Sequence, residues 1–267
     1  MLNLKRLACF ICLLVSYQTA FSQLGFSHEI GVIAGPVEFR SDFGQRDDTK
    51  TNFGNSGFGI GIVHYLNFSY SADCNCYTTD SYFNDHFKLR NEISYNKTNL
   101  QHEGQWVDPS KTSEEAKRLR GHTGVAENFD IGTQLEFFPL SIRSFQSFQP
   151  RIAPFISFGI HYTSFSPKAT TTYANADPTA IGDITDASNF YSSWDPGSID
   201  TAPGGTWSTV TSVGMRYKLD KMSDLMIDLR WQYYFSDRVD GLDHQLDYNK
   251  YNDWLVWFNV GYIFYLD

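Results

Sequence analysis

The chain has 267 residues, with 30 acidic against 21 basic side chains and a formal net charge of −9, so it lacks the concentrated Lys and Arg surface that binds a nucleic-acid backbone. It carries 22 Phe, 16 Tyr, 6 Trp and 20 Gly, yet its mean hydropathy is only −0.35, a mixture suited to a membrane barrel with an apolar outside and a polar inside. Past the N-terminus the longest apolar runs, such as Ile60-Gly61-Ile62-Val63, are strand-sized, which excludes a helical membrane protein.

The first element is a signal peptide over residues 1–22. A basic start (Lys5, Arg6) precedes the apolar stretch Leu7 to Tyr17, and Ala20-Phe21-Ser22 supplies a small-residue cleavage context that leaves Gln23 first. Its removal takes Lys5 and Arg6 away, leaving 19 bases against 30 acids, a balance of −11. Residues 23–267 then form one domain, since neither an internal repeat nor an interdomain linker is evident.

Eight strands follow, near 27–40, 57–70, 84–98, 127–138, 152–165, 206–218, 223–236 and 253–265, with no long helix. Most are long enough for a tilted membrane crossing of about 9–11 residues. In the third, Lys88, Arg90, Glu92, Ser94 and Asn96 share one face while Leu89, Ile93 and Tyr95 lie on the other. The fourth sets Asp130, Gln134 and Glu136 against Phe129, Ile131, Leu135 and Phe137, and the seventh sets Asp228, Arg230 and Gln232 against Ile227, Leu229, Trp231 and Tyr233. The last carries an apolar stripe from Trp254 to Phe264 with Asn259 and Gly261 opposite.

Glu29, Glu92, Glu136 and Asp228 fall on the polar faces together with Lys88, Arg90, Arg216 and Arg230, four acids and four bases for a paired network in a narrow lumen. A soluble sandwich or a lipocalin-like barrel would put its apolar face inward instead. The expected fold is therefore all-β, an eight-stranded antiparallel transmembrane β-barrel in the cell outer membrane, with membrane lipid as its surroundings. Such a barrel is largely filled by side chains, so a wide pore is not expected.

The connections alternate in length. Residues 41–56, 99–126, 166–205 and 237–252 form the long loops, expected outside the cell, while 71–83, 139–151 and 219–222 are the shorter periplasmic ones. Cys74-Asn75-Cys76 sits on the short-turn side, where a local disulfide, two free thiols or a turn without redox role are all open readings. With Asp73 and Arg143 it forms the expected contact site for a periplasmic partner. One Cys-x-Cys pair cannot complete a zinc site, and Asp177, Asp183, Asp186, Asp195 and Asp200 lack EF-hand spacing, so no metal and no cofactor is expected.

Catalytic motifs are missing. There is no G-x-S-x-G elbow, H-E-x-x-H helix, phosphate loop or C-x-x-C pair; neither His28 nor His161 has a Ser or Asp at diagnostic spacing, and most of the histidines read as solvent, loop or barrel hydrogen-bonding residues. Gly57-Phe58-Gly59-Ile60-Gly61 lies within a strand-like run and lacks the helix a dinucleotide loop needs.

Long stretches carry a family resemblance: LGFSHEIGVIAGPVEFRSDFG at 24–44, GFGIGIVHYLNFSY at 57–70, FNDHFKLRNEISYNKTNLQHEG at 83–104, SVGMRYKLDKMSDLMIDLRWQYYFSDRVDGLD at 212–243 and NDWLVWFNVGYIFYLD at 252–267. In these the chain resembles small outer-membrane barrels of Bacteroidota, among them an uncharacterised flavobacterial family. A more distant likeness is to the outer-membrane barrel component of the type IX secretion system. It rests on Ile152-Ala153-Pro154-Phe155-Ile156-Ser157-Phe158-Gly159, Phe165-Ser166-Pro167-Lys168, Gly214-Met215-Arg216-Tyr217-Lys218-Leu219 and Phe235-Ser236-Asp237-Arg238-Val239-Asp240. That resemblance implies a barrel working with periplasmic secretion or motility proteins. The Cys74-Asn75-Cys76 turn and the long 166–205 loop depart from the pattern. The function expected is a non-enzymatic structural or interaction barrel; the alternatives are a narrow channel or uptake accessory and a lipid-modifying enzyme.

Overall fold

The computed structural model describes residues 26–46, 48–69, 82–173, 189–244, 246–247 and 249–266. The signal-peptide reading and the Asp73 to Cys76 turn lie outside these residues, as do Asp177, Asp183 and Asp186. Nine strands are present among them: β1 (Ser27–Arg40), β2 (Ser56–Asn67), β3 (Phe87–Gln101), β4 (His122–Phe137), β5 (Ile152–Phe165), β6 (Lys168–Thr171), β7 (Gly204–Lys218), β8 (Ser223–Tyr234) and β9 (Trp254–Tyr265).

Eight of them close into an antiparallel ring in the order β1-β2-β3-β4-β5-β7-β8-β9, with β9 returning to β1. Paired residues traced around the ring run Ile30, His64, Asn91, Thr133, Ile160, Thr209, Tyr233, Trp254 and Arg40, so one circuit advances ten residues along β1. For eight strands that stagger corresponds to a tilt of about 40° and a radius of about 8 Å, too narrow to stay open once side chains enter it.

The barrel is inside-out. Ile62 (57% exposed), Phe158 (64%) and Trp207 (53%) belong to an apolar belt that covers the outer face of every strand of the ring, whereas Arg90, Arg216 and Arg230 inside are 0% exposed. A water-soluble barrel has the opposite polarity, and a surface of this kind is stable only against lipid. On β3, β4 and β6 the belt ends at Glu127, whose carboxylate pairs outside the barrel with Lys97 at 3.2 Å and Lys168 at 2.9 Å. The chain thus has the fold characteristic of outer-membrane barrels.

Three boundaries differ from the sequence reading. Residues 84–86 belong to a short helix, α1 (Tyr82–His86), which lies across the end of β3 rather than within it. The 99–126 loop is largely structured: β3 runs on to Gln101, β4 begins at His122, and α2 (Glu114–Gly121) occupies the space between, capped by Ser113 Oγ accepting from the Ala116 N–H. The 166–205 loop opens with β6, which takes over the pairing to β4 where β5 leaves it. Pro167 causes the split, because it has no N–H to continue the ladder.

Candidate functional site

Period-two alternation aims one side chain in two at the axis, and the structure brings all eight network residues foreseen from the sequence into the interior, each no more than 2% exposed. Glu29 of β1 binds Lys88 Nζ at 2.5 Å and, across the barrel, Arg216 of β7 at 2.5 Å. Arg216 reaches Glu136 at 3.3 Å, which lies 3.5 Å from Arg90. Arg90 also holds Asp228 at 3.0 Å and Glu92 at 2.8 Å, and Glu92 takes two bonds of 2.6 Å from Arg230.

Lys218 and Asp224, paired at 3.2 Å, extend the chain of charges toward the short-turn end, with Asp224 3.7 Å from Arg216. This gives five cations and five carboxylates in one contiguous string. Asp130, near its other end, accepts only from neutral groups: Thr163 Oγ1 at 2.5 Å, Gln232 Nε2 at 2.7 Å and Asn96 Nδ2 at 3.3 Å. Sequence reasoning left Lys218, Asp224 and Asp130 out of the network. The inward parity of Arg216 and Asp228 already pointed to the first two.

Aromatic rings fill the remaining interior. Arg216 lies 4.1 Å from the Tyr65 ring, Arg230 4.9 Å from Trp257 and Lys218 3.8 Å from Tyr265, arrangements that favour the cation by ring electrostatics. At the short-turn end Phe138, Ile142 and Phe145, from the β4–β5 connection, are buried beneath the lysines. The ten charges of the string pair with one another and aromatic rings pack beside them, so the arrangement obstructs passage.

The histidines follow the same logic. His161 Nε2 meets Gln134 Nε2 at 3.1 Å, His86 Nδ1 donates to the Phe138 carbonyl at 2.7 Å, and His102 Nε2 meets His122 Nδ1 at 3.1 Å. These partners are amides, carbonyls or other imidazoles rather than a serine hydroxyl.

At the long-loop end a second cluster joins the β1–β2 and β8–β9 loops. Arg46 Nη2 binds Asp42 at 2.6 Å, Asp237 at 3.1 Å and Asp253 at 3.4 Å. Asp253 Oδ2 accepts the Val239 and Asp240 N–H groups at 3.0 and 3.3 Å, and Asp240 Oδ2 accepts that of Asp42 at 2.9 Å. Burial pushes Asp240 up to about 7 and Asp237 up to about 6. Burial and the neighbouring carboxylates hold Asp42 and Asp253 well above the usual range, with Arg46 opposing. The carboxylate oxygens of Asp42, Asp237 and Asp253 lie within 4.8 Å of one another, a spacing that suits a metal ion. Here the guanidinium of Arg46 bonds all three, so the cation is the protein's own. The local sequence gives no hint of this cluster, because its members come from opposite ends of the chain.

Beside it lies a cavity of about 400 Å³ walled by His102, Trp106, Tyr191, Trp194 and His244. Gly44 N–H donates to His102 Nδ1 at 3.1 Å, so the His102 Nε2 proton lies toward His122. That shared proton leaves no second lone pair for a metal between the two rings. Burial holds His102 well below its ordinary value and pushes His244 down to about 4, so both are neutral.

At the short-turn end, Arg143 donates its backbone N–H to Asp85 at 3.1 Å and its Nε to Ser69 Oγ at 3.3 Å. It therefore braces the β4–β5 connection against the ends of β2 and α1. Its expected companions Asp73, Cys74, Asn75 and Cys76 lie outside the described residues.

No protein-family model matches the chain, and no curated protein matches it. Among solved structures it is similar to a major outer membrane protein from Thermus thermophilus, at 15% identity and a TM-score of 0.46 over 90% of this chain and 99% of that one. It is similar to Neisserial surface protein A at 11% identity and a TM-score of 0.44, over 89% and 96%. A third is Ail, the attachment invasion locus protein of Yersinia pestis, at 7% identity and 0.41, over 90% and 99%. The membrane-barrel assignment rests on the polarity of the barrel wall, not on these likenesses.

Proposed function

We propose that this protein is a non-conducting outer-membrane anchor that displays its structured long loops outside the cell and engages secretion or motility proteins through its short-turn end. The carrying observation is the contiguous interior network from Lys218 to Arg230, which leaves the two ends of the barrel as its working surfaces. Lipid of the outer membrane is its immediate environment, through the apolar belt. The more specific role, an accessory to type IX secretion or gliding, is supported by the sequence resemblance of residues 152–168 and 214–240 to that system's barrel component.

The reading is tested by crosslinking in native outer membranes with an epitope in the 166–205 loop, after surface exposure of the tag is verified. Reproducible capture of periplasmic secretion or motility subunits supports it. Recovery of the barrel without them, at native expression, removes the accessory role.

A further inference from the structure

One stretch of the lipid-facing wall breaks the apolar pattern. His28, His64, Asn91 and Thr133 are neighbours on the outer face of β1 to β4 and are all half-buried there. His28 stands near the short-turn end of β1, while His64, Asn91 and Thr133 lie inside the belt, not at its rim. Ile62 (57% exposed), Ile93 (49%) and Ile131 (51%) stand above them, and Leu66, Leu89 and Leu135 below, each on the same strand and the same face. Phe68, Phe87 and Phe137 follow farther toward the short-turn edge.

The polar groups are ordered among themselves. Asn91 Nδ2 donates to His64 Nδ1 at 3.4 Å, which places the His64 proton on Nε2, directed at His28 Nδ1 3.1 Å away. The two imidazoles stack with centroids 5.3 Å apart. Thr133 Oγ1 donates to the Arg90 carbonyl at 3.3 Å. Among the described residues, the second N–H and the carbonyl oxygen of the half-buried Asn91 side chain have no hydrogen-bond partner.

Amide groups facing hydrocarbon are costly unless a partner meets them, and polar side chains within a membrane mark contacts. Depth selects the partner. Lipid headgroups lie at the edges of the belt and acyl chains offer no hydrogen bond, whereas copies of one membrane protein share orientation and depth. A two-fold axis along the membrane normal therefore brings Asn91 opposite Asn91, and an amide is its own complement, each donating one N–H to the other's carbonyl oxygen. We infer that the β2–β4 wall is the interface of a homodimer in the membrane, centred on an Asn91–Asn91 amide pair.

The test is disulfide trapping in native membranes, with Cys74→Ser and Cys76→Ser as background. Ile93→Cys leaves Asn91 intact beside the axis; Leu229→Cys, on β8 across the ring, is the control at similar depth. Heat-modifiable mobility verifies folding of every variant. Ile93→Cys is expected to give a covalent dimer well above the control. Adding Asn91→Leu should weaken association roughly tenfold, the loss of two intramembrane hydrogen bonds, as read by energy transfer between labelled barrels in lipid. Equal trapping at both positions, a crosslinked product of another mass, or an Asn91→Leu barrel that associates as before would overturn it.

Discussion

Glu92 and Arg230 meet inside the barrel through two parallel N–H···O bonds of 2.6 Å, with both side chains fully buried. Removing Arg230 leaves the buried string with one more carboxylate than cations, and Arg90 alone facing both Glu92 and Asp228. Arg230→Met is expected to destabilise the barrel by about 3–5 kcal/mol, and Glu92→Leu with Arg230→Met to recover most of that loss. Urea unfolding in lipid vesicles, followed by Trp fluorescence, measures both.

The belt gives a second expectation, graded by depth. Ile62→Arg, within the apolar face, should cost about 2–4 kcal/mol, while Lys97→Glu, at the ionic row that ends the belt, should cost about 0–1 kcal/mol. The same unfolding measurement checks the ratio. Equal costs would contradict the placement of the belt.

Arg46→Ala leaves Asp42, Asp237 and Asp253 facing one another without their cation. Backbone amides of residues 239–242 should exchange with solvent at least tenfold faster, while those of β7 and β8 stay unchanged. Hydrogen exchange with the barrel in vesicles reads this directly.

The same clamp should depend on pH. An unfolded aspartate titrates near 3.9, whereas burial raises Asp237 to about 6 and Asp240 to about 7. Between these values the folded loops hold protons that the unfolded chain has released, so their stability is full below about 4 and declines as pH rises toward 7. After correction for intrinsic exchange rates, the 237–242 amides should be better protected at pH 5 than at pH 8.

What could be read from the sequence was what depends on period two. Lys88, Arg90 and Glu92 on β3, or Asp228 and Arg230 on β8, reveal their common face without a partner strand. Lys218 and Asp224, at the strand ends, share the parity of Arg216 and Asp228 and were legible by the same rule. Arg46 and its carboxylates were illegible, since loop closure brings Asp42 beside Asp240 and Asp253 from the far end of the chain. Asn91 shows the limit of parity. Its outward direction follows from β3 alone, but its bond to His64 needs the β2–β3 register.

Closure of the interior by its own charges is open to a direct check, single-channel recording of the purified, folded protein in planar bilayers. The native chain should give no steady conductance steps. A uniform, reproducible step that follows the folded fraction of the sample would contradict a closed interior.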